Sequence, residues 1–466
     1  MNKQENKGLN ISVRSFLTAI IVIFVLMIVS YVLTLVLPGG SYVRHLDVNG
    51  NKIISADGFY HVEGGLPFWK WLLSPVLCLT AEGSGTLIAV IAFLLVIGGV
   101  FNSLDKCGLM QYMLRKTAHK FGAVRYRLMA ILTLLFMAMG SMIGSFEECV
   151  PMVPIVVALS VSLGWDALTG VGMSLLAAGC GFAAGVCNPF TVGVAQELAK
   201  LPMFSGVWLR LVSFALIYLL LLIFLRLHAK KIERPLDLGC AESYFVSDIA
   251  MDRGLWCFAV IMCIGIAVIL CSGFITALQD YTMIIVAVMF LTAGISATLV
   301  SGMGAGKLGK TFAGGLASML PAVLMILMAS SIRYTFEEAK ILDTILHGAM
   351  GLAQTLPKWA VIEFIYLLVL GINFFIPSGS AKAFMLIPLI VPLAHMFGIS
   401  AQLCVLAFAF GDGFSNVFYP TNPALLIGLG LADVSYGDWF KWSGKFQLIN
   451  LLLTSLLLLV GLWIGY

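Results

Sequence analysis

Stretches of roughly twenty apolar residues recur from one end of this chain to the other, and such a chain has a lipid bilayer as its only adequate solvent. Phe16 to Leu37, Leu87 to Leu104, Val207 to Leu225, Leu255 to Ile275, Met283 to Val300 and Phe446 to Ile464 are such stretches. As a helix, each can cross a hydrocarbon core about 30 Å thick. In all, the count points to about nine full crossings, with shorter apolar pieces besides. Composition agrees: 61% of the 466 residues are hydrophobic and 11% are charged. In lipid every backbone polar group needs a partner within the chain, so the expected fold class is an all-α polytopic membrane protein.

The formal charge of +4 is small for this length, and no basic stripe with interleaved aromatics occurs, so a nucleic-acid partner has no support. The ten cysteines are scattered through apolar segments without zinc-ligand or disulfide spacing and read as small core residues. The segment 1–15 is polar, and the apolar run after it is too long for a cleaved signal, so it reads as a retained first span with a cytoplasmic N-terminus. The basic residues fit that orientation. Lys106, Arg115, Lys116, Lys120, Arg125, Arg127, Arg226, Lys230, Lys231, Arg234, Arg253, Lys307, Lys310, Lys441 and Lys445 fall on inner connections. Only Arg44, Lys52, Lys70, Lys200, Lys340 and Lys358 fall on outer ones. The first outer loop contains Asp47-Val48-Asn49-Gly50-Asn51, a turn signal between strand-like runs, and predicts a small external hairpin.

An internal repeat organises the rest. Val150-Pro-Met-Val-Pro154, Leu163-Gly164, Gly179 and Asn188-Pro189 match Met385-Leu-Ile-Pro388, Phe397-Gly398, Gly413 and Asn422-Pro423 at an offset of about 234 residues. Gly206-Val-Trp208-Leu-Arg210 likewise matches Gly437-Asp-Trp439-Phe-Lys441. The segment from Asp105 to Arg127 is strongly basic, whereas its counterpart from Glu338 to Lys358 is not, so the two copies are expected to face opposite sides of the membrane. Inverted repeats of this kind characterise secondary transporters. The expected organisation is a cytoplasmic N-terminus at 1–15 and repeat 1 at 16–227, with a hairpin at 126–163 and a broken helix at 168–200. A cytoplasmic loop and linking span at 228–280 follow, then repeat 2 at 281–466, with a hairpin at 360–397 and a broken helix at 401–432.

Each hairpin has short apolar legs and a polar tip, Gly144-Ser145-Phe146-Glu147-Glu148 in one and Pro377-Ser378-Gly379-Ser380-Ala381-Lys382 in the other. Such tips cannot face lipid, so re-entrant hairpins meeting near mid-depth are expected. Each is followed by a helix interrupted at Asn188-Pro189 or Asn422-Pro423, where proline frees carbonyls on one half and amides on the other. Half-helix N-termini attract carboxylates, while unwound carbonyls and hydroxyls suit sodium. The candidate substrate-binding residues are therefore Ser145, Glu147, Glu148, Asn188, Thr191, Ser378, Ser380, Lys382, Thr421 and Asn422, with sodium at Ser145, Asn188, Ser378 and Asn422. Glu147 and Glu148 can meet a cationic group, carry a proton or pair with a base. Lys382 can hold a substrate carboxylate or pair with one of those glutamates. Asp412 and Asn416 can extend the site or form a polar pair between helices.

At these residues the chain resembles a known family. Ile143-Gly-Ser-Phe-Glu-Glu148, Gly185-Val-Cys-Asn-Pro-Phe-Thr-Val-Gly-Val-Ala-Gln196, Asn373-Phe-Phe-Ile-Pro-Ser-Gly-Ser380 and Phe410-Gly-Asp-Gly-Phe-Ser-Asn416 look like the YfcC-like branch of the C4-dicarboxylate anaerobic carrier family, within the ion transporter superfamily. The resemblance implies an elevator mechanism, in which a domain holding both hairpins and both broken helices slides against a scaffold that dimerises. It also implies C4-dicarboxylates or basic amino acids, such as arginine exchanged for ornithine, as substrates. Relatives in the superfamily bind sodium through a Ser-Asn-Thr motif at each tip. Here those stretches read Ser145-Phe146-Glu147 and Ser378-Gly379-Ser380.

The expected activity is ion-coupled carriage of a small carboxylate-bearing metabolite across the cell inner membrane, as symporter or antiporter, driven by sodium or protons, with no other cofactor. A membrane-embedded enzyme would need metal ligands or a diphosphate motif, and neither a His-Glu-x-x-His nor a histidine cluster occurs. A channel would draw its filter from several identical subunits, against which the internal repeat argues.

Overall fold

A helix satisfies its own amides in lipid, and in this chain almost every described segment is one. The computed structural model describes residues 13–46, 52–81, 84–113, 116, 124–144, 146–233, 248–272 and 282–466. The first part runs α1 (Val13–Val36), β1 (Gly40–Leu46), β2 (Lys52–His61), the short α2 (Phe68–Leu72) and α3 (Ser74–Leu77), and α4 (Ser84–Lys106). The first hairpin is α5 (Arg125–Ile143), a 3-10 turn (Glu147–Met152) and α6 (Val153–Ser162). The first broken helix is α7 (Ala167–Ala184), interrupted by a π-turn at Gly172–Leu176, then a second π-turn at Pro189–Gly193 leading into α8 (Val194–Leu198). After α9 (Val207–Ile232) come α10 (Ile249–Ser272), α11 (Thr282–Val300), α12 (Ala305–Ser318), α13 (Leu320–Glu338) and α14 (Leu342–Ala353). The second hairpin is α15 (Lys358–Asn373) and α16 (Gly379–Met396), the second broken helix α17 (Ala401–Asn416) and α18 (Pro423–Leu431), and the last helix α19 (Tyr436–Ile464).

Among the described residues, six helices are long and apolar enough to cross a membrane, and Ile23–Val36, Cys149–Ser162 and Ala287–Val300 are shorter apolar helices. Burial separates central helices from lipid-facing ones. Of the best apolar window in Ala167–Ala184, 89% is buried, against 28% in Val207–Ile232 and in Tyr436–Ile464. Thus α7 is walled off by protein on every side, and in α17 every residue from Leu403 to Asn416 is buried.

These two central helices cross at backbone distance, because small residues meet where they touch. A Cβ placed on Gly179 would lie 2.3 Å from Val417 Cγ1, and one on Gly413 would lie 2.2 Å from Ala183 Cα. The two contacts are reciprocal, Gly179 with Val417 and Gly413 with Ala183. Residue numbers rise along α7 as they fall along α17, so the two helices are antiparallel. Their outer counterparts, α9 and α19, behave likewise. The Tyr466 hydroxyl donates to Gly206 O over 2.5 Å at one end, while Phe224 meets Phe446 and His228 meets Trp442 with ring centroids 5.5 and 5.2 Å apart toward the other.

The β-hairpin expected from the sequence is present as β1 paired antiparallel with β2, from Gly40 opposite His61 to Leu46 opposite Lys52. The turn residues 47–51 lie outside the described residues. Asp343, at the start of α14, ties the hairpin down. It accepts from the Tyr42 amide at 2.8 Å and from Arg44 Nη2 at 2.8 and 3.0 Å. Phe59 stacks on His347 at 4.0 Å. Asp343→Ala removes the acceptor for a buried amide and a charge-assisted pair, and is expected to cost about 1 to 3 kcal/mol. A lower thermal midpoint together with faster proteolysis within 47–51 is the expected reading, and an unchanged proteolysis rate would show that the hairpin is held by its apolar contacts alone.

Candidate functional site

The two chain breaks are finished by side chains from the elements around them, as buried backbone groups require. At the first, α7 ends on Gly185 in the left-handed region (φ 49°). The Val186 amide then donates to Ser141 Oγ (3.0 Å) and the Cys187 amide to Ser141 O (3.1 Å), both near the end of α5. Arg210 Nε donates to Val186 O at 3.3 Å, and its Nη2 to Ser205 O at 2.8 Å. At the second break, Trp439 Nε1 donates to Val417 O (2.9 Å) and the Tyr436 hydroxyl to Phe418 O (3.0 Å). Each restarted half is capped by its asparagine. Asn188 Oδ1 accepts from the Thr191 amide at 3.3 Å, and Asn422 Oδ1 accepts from the Ala424 and Leu425 amides at 2.9 and 3.3 Å. In both Asn-Pro motifs the side-chain oxygen thus serves as a helix cap.

The second hairpin tip is wedged between the two broken helices. Gly379 opens α16, and a Cβ there would lie 2.4 Å from Thr191 Cγ2 and 2.5 Å from Asp412 Oδ2. Both broken helices therefore reach the tip at Gly379. One turn into α16, Lys382 is completely buried, and its Nζ lies 2.6 Å from Oδ1 of the completely buried Asp412. The ammonium also donates to Asn373 Oδ1. Asn373 Nδ2 donates in turn to Ser415 Oγ (2.6 Å), Asn416 Oδ1 (3.0 Å) and Asp412 O (3.2 Å), and Asn422 Nδ2 donates to the same Asn416 oxygen at 3.0 Å. One network so joins the second tip to the second break. Desolvating both charges costs roughly what their attraction returns, so this pair is a poor source of stability, and in a membrane buried ionisable groups mark transport pathways.

Of the residues expected at the site, Lys382, Asn422, Asn188 and Thr191 are buried around the second tip and the two breaks, and Thr421 is buried beside Asn422. Ser378 and Ser380 are half-buried at the tip itself. Glu147 is half-buried at the first tip and opens the 3-10 turn that packs on α18 and α11. Ser145 and the Glu148 side chain lie outside the described residues. The carboxylate that meets Lys382 is Asp412. Asn373 and Arg210 are not among the residues expected at the site, although each is a strong hydrogen-bonding side chain inside an apolar run, which is the signal that finds such positions. Arg210 is completely buried, makes no ion pair among the described residues, and leaves Nη1 without a hydrogen-bond partner.

The family model described as "C4-dicarboxylate anaerobic carrier" matches residues 16–462. The chain belongs to the C4-dicarboxylate anaerobic carrier family. It is therefore an integral membrane protein and a carrier rather than an enzyme. Among the relatives of this family member is Escherichia coli (strain K12) YfcC, named for basic amino acid antiport. It is 28% identical over 402 residues, covering 82% of this chain and 79% of YfcC. A Haemophilus influenzae protein with no assigned activity is 24% identical over 394 residues, covering 81% of this chain and 76% of its own length. Two solved transporters resemble this carrier distantly along almost their whole lengths. Alcanivorax borkumensis YdaH has a TM-score of 0.44 at 20% identity, covering 97% of this chain and 99% of its own. Neisseria gonorrhoeae MtrF, described as illuminating a class of antimetabolite efflux pumps, has a TM-score of 0.45 at 18% identity, covering 96% of each chain.

Proposed function

We propose that this chain is a secondary active carrier for a small carboxylate-bearing metabolite, working by an elevator motion across the cell inner membrane with its N-terminus in the cytoplasm. The observation that carries the reading is the second tip, seated at Gly379 between Thr191 of one broken helix and Asp412 of the other. Loops with unsatisfied backbone survive at membrane depth only inside protein or along a wet cavity, and two interrupted helices with a hairpin tip between them make such a place. The antiparallel course of α7 against α17 and of α9 against α19 supports inverted repeats, because equivalent helices then enter from opposite faces. The moving domain in this reading comprises both hairpins and both broken helices, and the helices α1, α4 and α10–α13 form a scaffold that dimerises.

Basic amino acids, the class that the name of YfcC carries, are the first substrate class, and C4-dicarboxylates the second. A substrate carboxylate lies on the half-helix N-termini near Asn188 and Asn422, oriented by Ser145, Thr191, Ser378, Ser380 and Thr421. Its amino group lies near Glu147 or Glu148. The driving gradient is sodium or protons, with sodium held at Ser145, Asn188, Ser378 and Asn422, or a counter-moving substrate.

Purified protein in liposomes preloaded with ornithine is expected to take up labelled arginine, and liposomes preloaded with a C4-dicarboxylate test the second class. Glu147→Gln or Glu148→Gln is expected to reduce uptake of an amino-acid substrate. If both variants carry every substrate at the rate of the parent chain, the amino group does not lie at the first tip. Thr191→Val removes one hydroxyl at the meeting point of tip and break and is expected to raise KM about fivefold, the loss of a single neutral hydrogen bond. A KM equal to the parent's would remove Thr191 from the site.

A further inference from the structure

The Lys382–Asp412 pair has an odd construction for a structural clasp. Asp412 Oδ2 accepts no hydrogen bond among the described residues, although it is completely buried. Asn373 Oδ1 completes the surroundings of the ammonium. A carboxylate and an amide oxygen, withdrawn from water between a hairpin tip and two broken helices, are oxygen donors of the kind that hold a monovalent cation in a transporter core. Here the cation is supplied by the chain itself. Its stem leaves the tip one turn beyond Gly379, so the charge is carried by the hairpin and not by the bulk solution.

We propose that the Lys382 ammonium is a tethered cation occupying an oxygen-lined cation site formed by Asp412 and Asn373, so that seating of the second hairpin needs no dissociable cation there. Desolvation makes either an empty Asp412 or an unpaired Lys382 costly, so the site is filled in every state in which it is buried. The inference deepens the transporter reading and rests on it for its meaning, but its test reads cation binding and not uptake. A chain that carried none of the offered substrates would still give an interpretable result.

The test is a thermal unfolding titration of the purified full chain and of Lys382→Ala, with sodium chloride against choline chloride at equal ionic strength. Lys382→Ala vacates the site and leaves Asp412 uncompensated. Its midpoint is expected to lie well below that of the parent and to rise by several degrees, saturably, with sodium but not with choline, following the mass-action stabilisation of a bound ligand. The Lys382→Ala/Asp412→Ala double variant is expected to lose this added response. Should Lys382→Ala be recovered only from sodium-containing buffers while the double variant is recovered from both, the same conclusion holds. A Lys382→Ala chain no more responsive to sodium than the parent overturns the proposal. So does a single variant whose recovery fails equally in both salts while the double variant folds.

Discussion

Asp412→Ala is expected to lower the stability of this carrier by about 3 to 5 kcal/mol, because it leaves the ammonium of Lys382 buried without its counter-charge. Lys382 sits at zero exposure, and its other polar contact is a neutral amide oxygen of Asn373. The loss is a penalty of imbalance and not the worth of the pair. Replacing both partners with apolar residues of similar volume, as Lys382→Met with Asp412→Leu, is therefore expected to recover most of the stability while leaving transport abolished. Detergent-driven unfolding in mixed micelles reads the first quantity, and proteoliposome uptake the second. A double variant as unstable as Asp412→Ala would mean that the pair holds the tip mechanically. A double variant that still transports would remove both residues from the mechanism.

The second large effect is steric. A Cβ on Gly181 would fall 1.8 Å from Met137 O, and one on Gly413 would fall 2.2 Å from Ala183 Cα. Both obstacles are backbone atoms, so no side chain can rotate out of the way and two helices must separate instead. Gly181→Ala and Gly413→Ala are each expected to destabilise by about 3 kcal/mol, the upper part of the usual range for overpacking. Uptake in both is expected to fall further than stability alone explains, because Gly413 fixes how the two broken helices cross. Gly371→Ala supplies the control: that glycine is exposed on α15, nothing lies within 4 Å of its Cβ position, and alanine there is expected to stabilise by about 0.5 to 1 kcal/mol. Equal midpoints for Gly371→Ala and Gly413→Ala would show that the close crossing is not a real constraint.

Much of the plan was legible before any coordinates. Apolar run length gives helices that can span, the Asn188-Pro189 and Asn422-Pro423 pairs give the breaks, and the turn signal at 47–51 gives the β-hairpin that flanks it, since each depends on local chemistry that few contexts override. Pairing was less legible. Lys382 invites a partner among the glutamates of the first tip, whose positions match it in the repeat, yet its carboxylate comes from Asp412 on the neighbouring helix. The asparagines of the breaks read as ligand side chains, yet their oxygens cap the helices that follow them.

The sequence by itself determined that this chain lives in lipid and that a helix is interrupted at Asn188-Pro189 and at Asn422-Pro423, because hydropathy and proline act over a few residues. Only the tertiary structure decided that α7 and α17 cross antiparallel at Gly179 and Gly413, that the second tip lodges against both broken helices, and that Asp412 holds Lys382. Those outcomes depend on close packing between segments far apart in the chain, and a linear pattern carries the residues that permit such an approach without saying which of them meet.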